Sequence, residues 1–143
     1  MMVSTKGRYA LRVLADMAEH RTDKYLPLKD IAERQGISEK YLESIVKSLV
    51  KGGVLVGLRG KGGGYRLGKS PDMITVMDVL NLTEGSVAPV NCLSENAAVC
   101  DRIAECRTIK MWSGLNKVIS DYLSTYTISD LMRTPGECMD YII

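Results

Sequence analysis

Apolar residues recur at helical spacing through the first fifty positions, and the breaks between stripes fall on polar or glycine-bearing stretches. Ala10, Leu11, Leu14, Met17 and Ala18 make the first stripe, opened by Ser4 or Thr5 as an N-cap and closed near His20. The polar connection from Arg21 to Pro27 leads to Leu28, Ile31 and Ala32, a short amphipathic helix ending at Gly36, where glycine suits a left-handed cap. Ser38 caps a third helix with Tyr41, Leu42, Ile45, Val46 and Leu49 on one face. Glu39, Lys40, Glu43, Ser44, Lys47 and Lys51 remain outside that face. Gly52-Gly53 stops this helix, and the period then changes. Val54 to Leu58 runs through a glycine-rich tip into Tyr65-Arg66-Leu67, which predicts a β-hairpin.

Further on, Thr75-Val76-Met77-Asp78 is a capping-box pattern that opens a short helix through Leu82. A loop from Gly85 to Glu105 follows. From Thr108 the pattern becomes a long helix, with Trp112, Leu115, Ile119, Tyr122 and Tyr126 spaced 3, 4, 3 and 4 apart. Thr127-Ile128-Ser129-Asp130 caps a last short helix, and the tail from Pro135 shows no pattern.

The fold class expected is therefore mainly α with a small β-hairpin. Two helices joined by Gln35-Gly36-Ile37 read as helix-turn-helix, and a basic hairpin directly after them makes a winged helix. Charge agrees with a polyanionic partner. The net charge of +2 hides 14 Lys and Arg against 7 Asp and Glu in residues 1–70, and 5 against 10 in residues 71–143. At 143 residues the chain fits one domain, or a small domain with an appendage. No apolar run approaches the roughly 18 residues of a membrane span, and Lys6, Arg8 and Arg12 interrupt any signal region, so the expected location is cytoplasmic.

The hairpin tip, Arg59 to Ser70, also mimics a phosphate-binding loop: Gly63, four residues, then Gly68-Lys69-Ser70. That loop needs a helix to open at the lysine and serine, and Pro71 pushes Ser70 out of the helical region. Asp78 lies too close for a crossover and serves better as a helix cap. No catalytic residues are assigned. The wing reading instead predicts that the glycines let backbone approach DNA closely, while Arg59 and Lys61 bring charge to a narrow groove. On the third helix, Glu43 can accept from a cytosine amino group or simply pair with Lys47 one turn on. Tyr9 and Tyr41 can reach phosphates or pack beneath the helices.

Cys92, Cys100 and Cys106 sit in one loop, separated by seven and five residues. In a reducing compartment such thiols are free, metal-bound or redox-active rather than structural disulfides. Thiolates at these separations can converge on one iron–sulfur cluster; zinc, a thiol redox pair and inert cysteines stay open.

The stretches STKGRYALR (Ser4 to Arg12), IAERQGISEKYLE (Ile31 to Glu43) and RGKGGGY (Arg59 to Tyr65), in this order, resemble the IscR, NsrR and CymR type of bacterial winged-helix transcription regulator. The resemblance covers nearly the whole chain. It implies a homodimer on a pseudo-palindromic operator of double-stranded DNA, acting as a repressor. It places base contacts at Lys40, Tyr41, Glu43 and Ser44 and minor-groove probing at Arg59, with Tyr9, Lys47, Gly60 and Lys61 completing the expected DNA-facing set. It also implies a cluster on Cys92, Cys100 and Cys106, 2Fe-2S ahead of 4Fe-4S, that aerobic preparation can lose. Two departures stand out. IscR-type members carry a histidine three residues after the third cysteine, where this chain has Ile109, and NsrR-type members use an N-terminal acid where it has Arg8. His20 reads as a solvated helix cap. A fourth ligand then falls to Glu95, Asp101, Glu105, Cys138 or another chain.

The expected organisation is a winged helix-turn-helix at 1–84, a sensor loop at 85–106, and a dimerisation helix with tail at 107–143. The first part already owns a core, which leaves the long helix's seam of Trp112, Leu115, Ile119 and Tyr122 to a second copy. Two rivals remain: a small redox or iron-handling protein in which DNA binding is incidental, and a cluster-free family member regulated by a protein partner.

Overall fold

Ser4, Ser38 and Thr75 each accept a hydrogen bond from a backbone N–H three residues on. These caps fix where three of the six described α-helices begin in the computed structural model, which describes residues 2–134. Helix α1 spans Thr5–Glu19, α2 Leu28–Gln35 and α3 Glu39–Lys51. Gly36 ends α2 at φ 63° and ψ 36°, the left-handed conformation expected of it. Gly52 caps the end of α3, and strands β1 (Leu55–Leu58) and β2 (Gly64–Leu67) pair antiparallel, with Val56 opposite Arg66 and Leu58 opposite Gly64. The winged-helix expectation holds.

A third segment joins the hairpin. Leu26 and Tyr65 exchange backbone hydrogen bonds of 2.8 and 2.9 Å, so β2 lies between β1 and the connection ahead of α2. This contact explains Gly64: a Cβ there would sit 2.2 Å from the Leu26 carbonyl oxygen, at a φ of 145°. One of the wing glycines thus has a reason inside the fold, beside the close approach to DNA expected of the wing. Gly64 is needed for the wing's attachment to its own domain, while Gly60 and Gly62, at φ 94° and 75°, shape the turn itself.

Ser70 is extended at φ −61° and ψ 142°, and only a short 3₁₀ turn, Pro71–Met73, follows it. No helix opens at Lys69-Ser70, so the geometry of a phosphate-binding loop is missing. Helix α4 (Val76–Glu84) starts at a complete Thr75–Asp78 capping box. Leu14, Met17, Ile31, Leu42, Ile45, Leu49 and Leu55 are buried together among α1, α2, α3 and the wing base.

The segment after the cysteine loop behaves less simply. Helix α5 (Ile109–Thr125) has no buried residue, yet α6 (Ile128–Leu131) returns to the main core, with Ile128 fully buried there. The Val76 N–H donates to the Tyr126 carbonyl and the Ile128 N–H to the Ile74 carbonyl, both at 2.9 Å. Burying an isoleucine stabilises by roughly 1.5–3 kcal/mol. A boundary at residue 107 therefore separates stretches of chain rather than cores.

The seam of α5 divides between two jobs. Ile119, with Leu123, packs against a second small cluster of Val76, Leu80 and Val87 in its own chain. Leu115 (40% exposed) and Tyr122 (60%) face outward, accompanied by Met111 (54%) and Val118 (63%), which the seam as read from sequence omits. Trp112 is half-buried. The helix is apolar on more than one side, so spacing alone does not say which stripe meets its own domain.

Candidate nucleic-acid interface

Burying Leu42, Ile45, Val46 and Leu49 turns the opposite face of α3 outward. Lys40, Glu43, Ser44 and Lys47 are all exposed on it. Glu43 forms no ion pair with Lys47 among the described residues, so its carboxylate is available. The Ser44 hydroxyl donates to the Tyr41 carbonyl at 2.7 Å and keeps its acceptor lone pairs. Tyr41 is half-buried, with its ring edge-on to Tyr9 at 6.0 Å, and both rings lie against the main core. Both rings therefore pack on the core while staying partly exposed.

The wing presents Arg59, Gly60 and Lys61 beyond the strand ends, all exposed. The turn is closed by the Gly63 N–H donating to the Gly60 carbonyl at 3.0 Å. At the wing base the Arg66 guanidinium stacks 4.7 Å above the Tyr25 ring and helps hold the hairpin to the polar connection.

One constellation escaped the sequence reading. Asp16, 5% exposed, accepts from Arg34 through both carboxylate oxygens, at 2.8 to 3.1 Å, and from the Gln35 amide at 3.1 Å. The hydrogen bond to Asp16 holds the Arg34 guanidinium above its already high pKa. One turn earlier on α1, Arg12 donates to the Gln35 carbonyl at 2.8 Å and lies 4.9 Å over the Tyr9 ring. Two side chains of α1 thus grip the last residues of α2, immediately before the turn into α3. Lys6 adds a 2.8 Å hydrogen bond to Ser48 on α3. These contacts tie α1 to the end of α2 and to α3. The partners are 18, 19 and more residues apart, a separation at which local pattern carries no signal. His20 joins the same corner: its ring Nδ1 lies 2.8 Å from the Asp16 carbonyl, at the end of α1.

Cys92 and Cys100 are exposed and Cys106 is half-buried; all three are free thiols. Short 3₁₀ turns at Asn91–Leu93 and Ile103–Glu105 interrupt their loop. Among the described residues no three ligating side chains stand together in metal-binding geometry, and Cys138 lies outside the described residues. Cys106 Sγ is 3.5 Å from the Thr108 hydroxyl. That contact, with the backbone N–H groups of Thr108 and Ile109 at the start of α5, holds its thiol below the ordinary range.

Residues 3–134 match the Rrf2 family, described as an iron-dependent transcriptional regulator. The chain belongs to the Rrf2 family. Protein rrf2 of Nitratidesulfovibrio vulgaris is 41% identical over 138 residues, spanning 96% of this chain and 91% of that protein. The HTH-type transcriptional regulator IscR of Photobacterium profundum is 41% identical over 133 residues, 93% of this chain and 76% of that one. Solved structures share the fold, and two serve as examples. CymR, the global cysteine regulator of B. subtilis, aligns with a TM-score of 0.72 at 34% identity, covering 92% of this chain and 95% of its own. IscR of T. potens aligns at 0.67 and 34%, covering 92% and 85%.

As an Rrf2 regulator the chain is a DNA-binding winged-helix protein of transcription control, and its relatives are not enzymes. The rival reading as a small redox or iron-handling protein falls away. No helix among the described residues is long and apolar enough to cross a membrane.

Proposed function

We propose that this Rrf2 regulator represses transcription in the cytoplasm as a homodimer on a pseudo-palindromic operator, with the loop of Cys92, Cys100 and Cys106 as its sensor of iron–sulfur or redox status. The observation that carries the DNA reading is the exposed polar face of α3 beside a basic wing tip. In this reading Lys40, Tyr41, Glu43 and Ser44 meet base edges, Glu43 accepts from cytosine, and Tyr9 and Lys47 hold the backbone. Arg59 and Gly60 enter the minor groove, and Lys61 contacts phosphate. Leu115 and Tyr122, with Met111, Val118 and the half-buried Trp112, form the face that a second copy covers, while Ile119 borders it from the intramolecular side. A two-fold pair of such helices sets the two α3 helices about one DNA turn apart.

The donor chemistry at the loop fits an iron–sulfur cluster in kind: three accessible thiols, with Glu95, Asp101, Glu105 or a group of the second copy for the fourth place. Such a cluster supplies a redox-labile group that ties loop positions together when bound. The chain's own contribution is the tether, since the loop joins α4, which packs on the winged domain, to α5. Ordering it biases the placement of α3 only through a stability difference between arrangements. A second reading, thiol oxidation without a metal, draws on the ungathered thiols and on the Thr108 contact that favours a Cys106 thiolate.

Gel shifts on an operator at several salt concentrations test the DNA reading. Arg59→Ala should cost about 1–3 kcal/mol and relax preference at the steps under the wing, whereas Lys61→Ala should weaken all sequences alike. Unchanged affinity in both variants overturns this wing placement. For the sensor, anaerobic reconstitution should give a coloured protein with broad sulfur-to-iron absorption that a Cys92, Cys100 and Cys106 triple alanine variant lacks. Absence of iron and sulfide after reconstitution leaves thiol oxidation as the mechanism.

A further inference from the structure

A groove of about 730 Å³ lies between the start of α2, the second half of α3 and the wing. Lys29, Lys47, Lys51 and Arg59 line it, and no Asp or Glu does among the described residues. All four cations are exposed, and none is in an ion pair among the described residues. The floor between them is apolar: Val50 and Leu58 are 39% and 48% exposed there, beside the bare backbone of Gly57 and Gly63. An exposed valine or leucine alone needs no explanation. Cations above a strip of apolar surface, with no acid among them, form a pattern with a specific complement.

A sugar–phosphate strand alternates the same two chemistries, anionic phosphates separated by the C–H faces of deoxyribose. We propose that this groove seats one backbone strand of duplex DNA, with Lys29 and Lys51 as phosphate contacts and Val50 and Leu58 against the intervening sugars. The proposal rests on the DNA-binding reading and extends it to residues outside the base-reading set. Continuity supports it: Lys47 and Arg59 belong both to the groove and to the α3 and wing surfaces that face the bases, so a duplex read by those surfaces carries its backbone past Lys29 and Lys51. Phosphate contacts of this kind carry no sequence information and fix register. The groove walls come from three separate elements, so it also locks the wing relative to α3 when occupied.

The test uses the full chain and a mixed-sequence duplex, with affinity followed by fluorescence anisotropy over a salt series. For each phosphate contact removed, the slope of log affinity against log salt should become shallower by about 0.9. Lys29→Ala and Lys51→Ala should each show one such step, and the double variant about two. Lys117→Ala, on α5 and paired with Asp121, should leave the slope unchanged although it removes the same charge. If the double variant keeps the wild-type slope while the wild type binds, the groove is not a backbone seat, and a small amphipathic anion becomes its occupant. If the wild type binds no duplex at low salt, the DNA reading itself falls and the groove proposal with it.

Discussion

The winged domain and the stretch from the cysteine loop through α5 follow opposite rules. In the first, α1 and α3 bury seven and four residues respectively, and their caps are made within the same stretch of chain. In the second, α5 runs for 17 residues with none buried, and Cys92, Cys100 and Val99 all face solvent. The apolar helix faces of the winged domain that carry Leu14, Met17, Leu42, Ile45 and Leu49 are buried against their own chain. On α5, Met111, Leu115, Val118 and Tyr122 remain exposed, which is the observation behind the proposed dimer face. The difference separates helices that bury an apolar face within their own chain from one that keeps half of its apolar side chains in solvent.

The comparison is broken most severely inside the first region. Leu49→Ala removes a fully buried side chain from the α3 face that meets the core, and should destabilise by about 2–5 kcal/mol in chemical denaturation. Val99→Ala, at a position 82% exposed in the loop, should stay within about 0.5 kcal/mol of wild type. Equal losses would mean that the loop is packed against the domain and that the contrast is false.

A smaller effect on folding, with a larger one on function, is expected on α5. Leu115→Glu places a charge at the centre of the exposed stripe while leaving Ile119 and Leu123 seated on the Val76 cluster. The chain should remain folded by circular dichroism, sediment as a monomer in analytical ultracentrifugation, and bind an operator far more weakly, because two half-sites no longer act together. A wild-type chain already monomeric at micromolar concentration would show that α5 is not the dimer face.

The same contrast decides how much was legible in the sequence. Ser4, Ser38, the Thr75–Asp78 and Thr127–Asp130 boxes and Gly36 all appear where pattern places them, because each cap is settled within four residues. The exposed faces of α3 and the wing followed from the buried ones. Long-range partners did not follow. Nothing near Asp16 announces Arg34, nothing near Gly64 announces Leu26, and Val87 gives no sign that it anchors the loop to α4. For α5, Met111, Trp112, Leu115, Val118, Ile119, Tyr122 and Leu123 supply two overlapping stripes. Which of them docks depends on α4, a partner that periodicity does not see.

The smallest effect concerns the one place in the loop where local structure imposes a chemical bias. The Thr108 hydroxyl and the backbone N–H groups of Thr108 and Ile109 stabilise the Cys106 thiolate, so its pKa lies below the ordinary range. The thiolate is the attacking form. A lowered pKa therefore means more thiolate at any given pH, and alkylation of Cys106 by iodoacetamide should pass its midpoint at a lower pH than for an ordinary thiol. In Thr108→Val the hydroxyl is gone and the backbone donors remain, so the midpoint should move upward by part of the shift. Mass spectrometry of the Cys106 peptide across a pH series, in metal-free protein, measures both midpoints. A Thr108→Val midpoint equal to or below that of wild type would show that the hydroxyl is not the cause. The reactivity of Cys106 would then rest on the helix start alone, and oxidation in the loop would have no residue-specific trigger at Thr108.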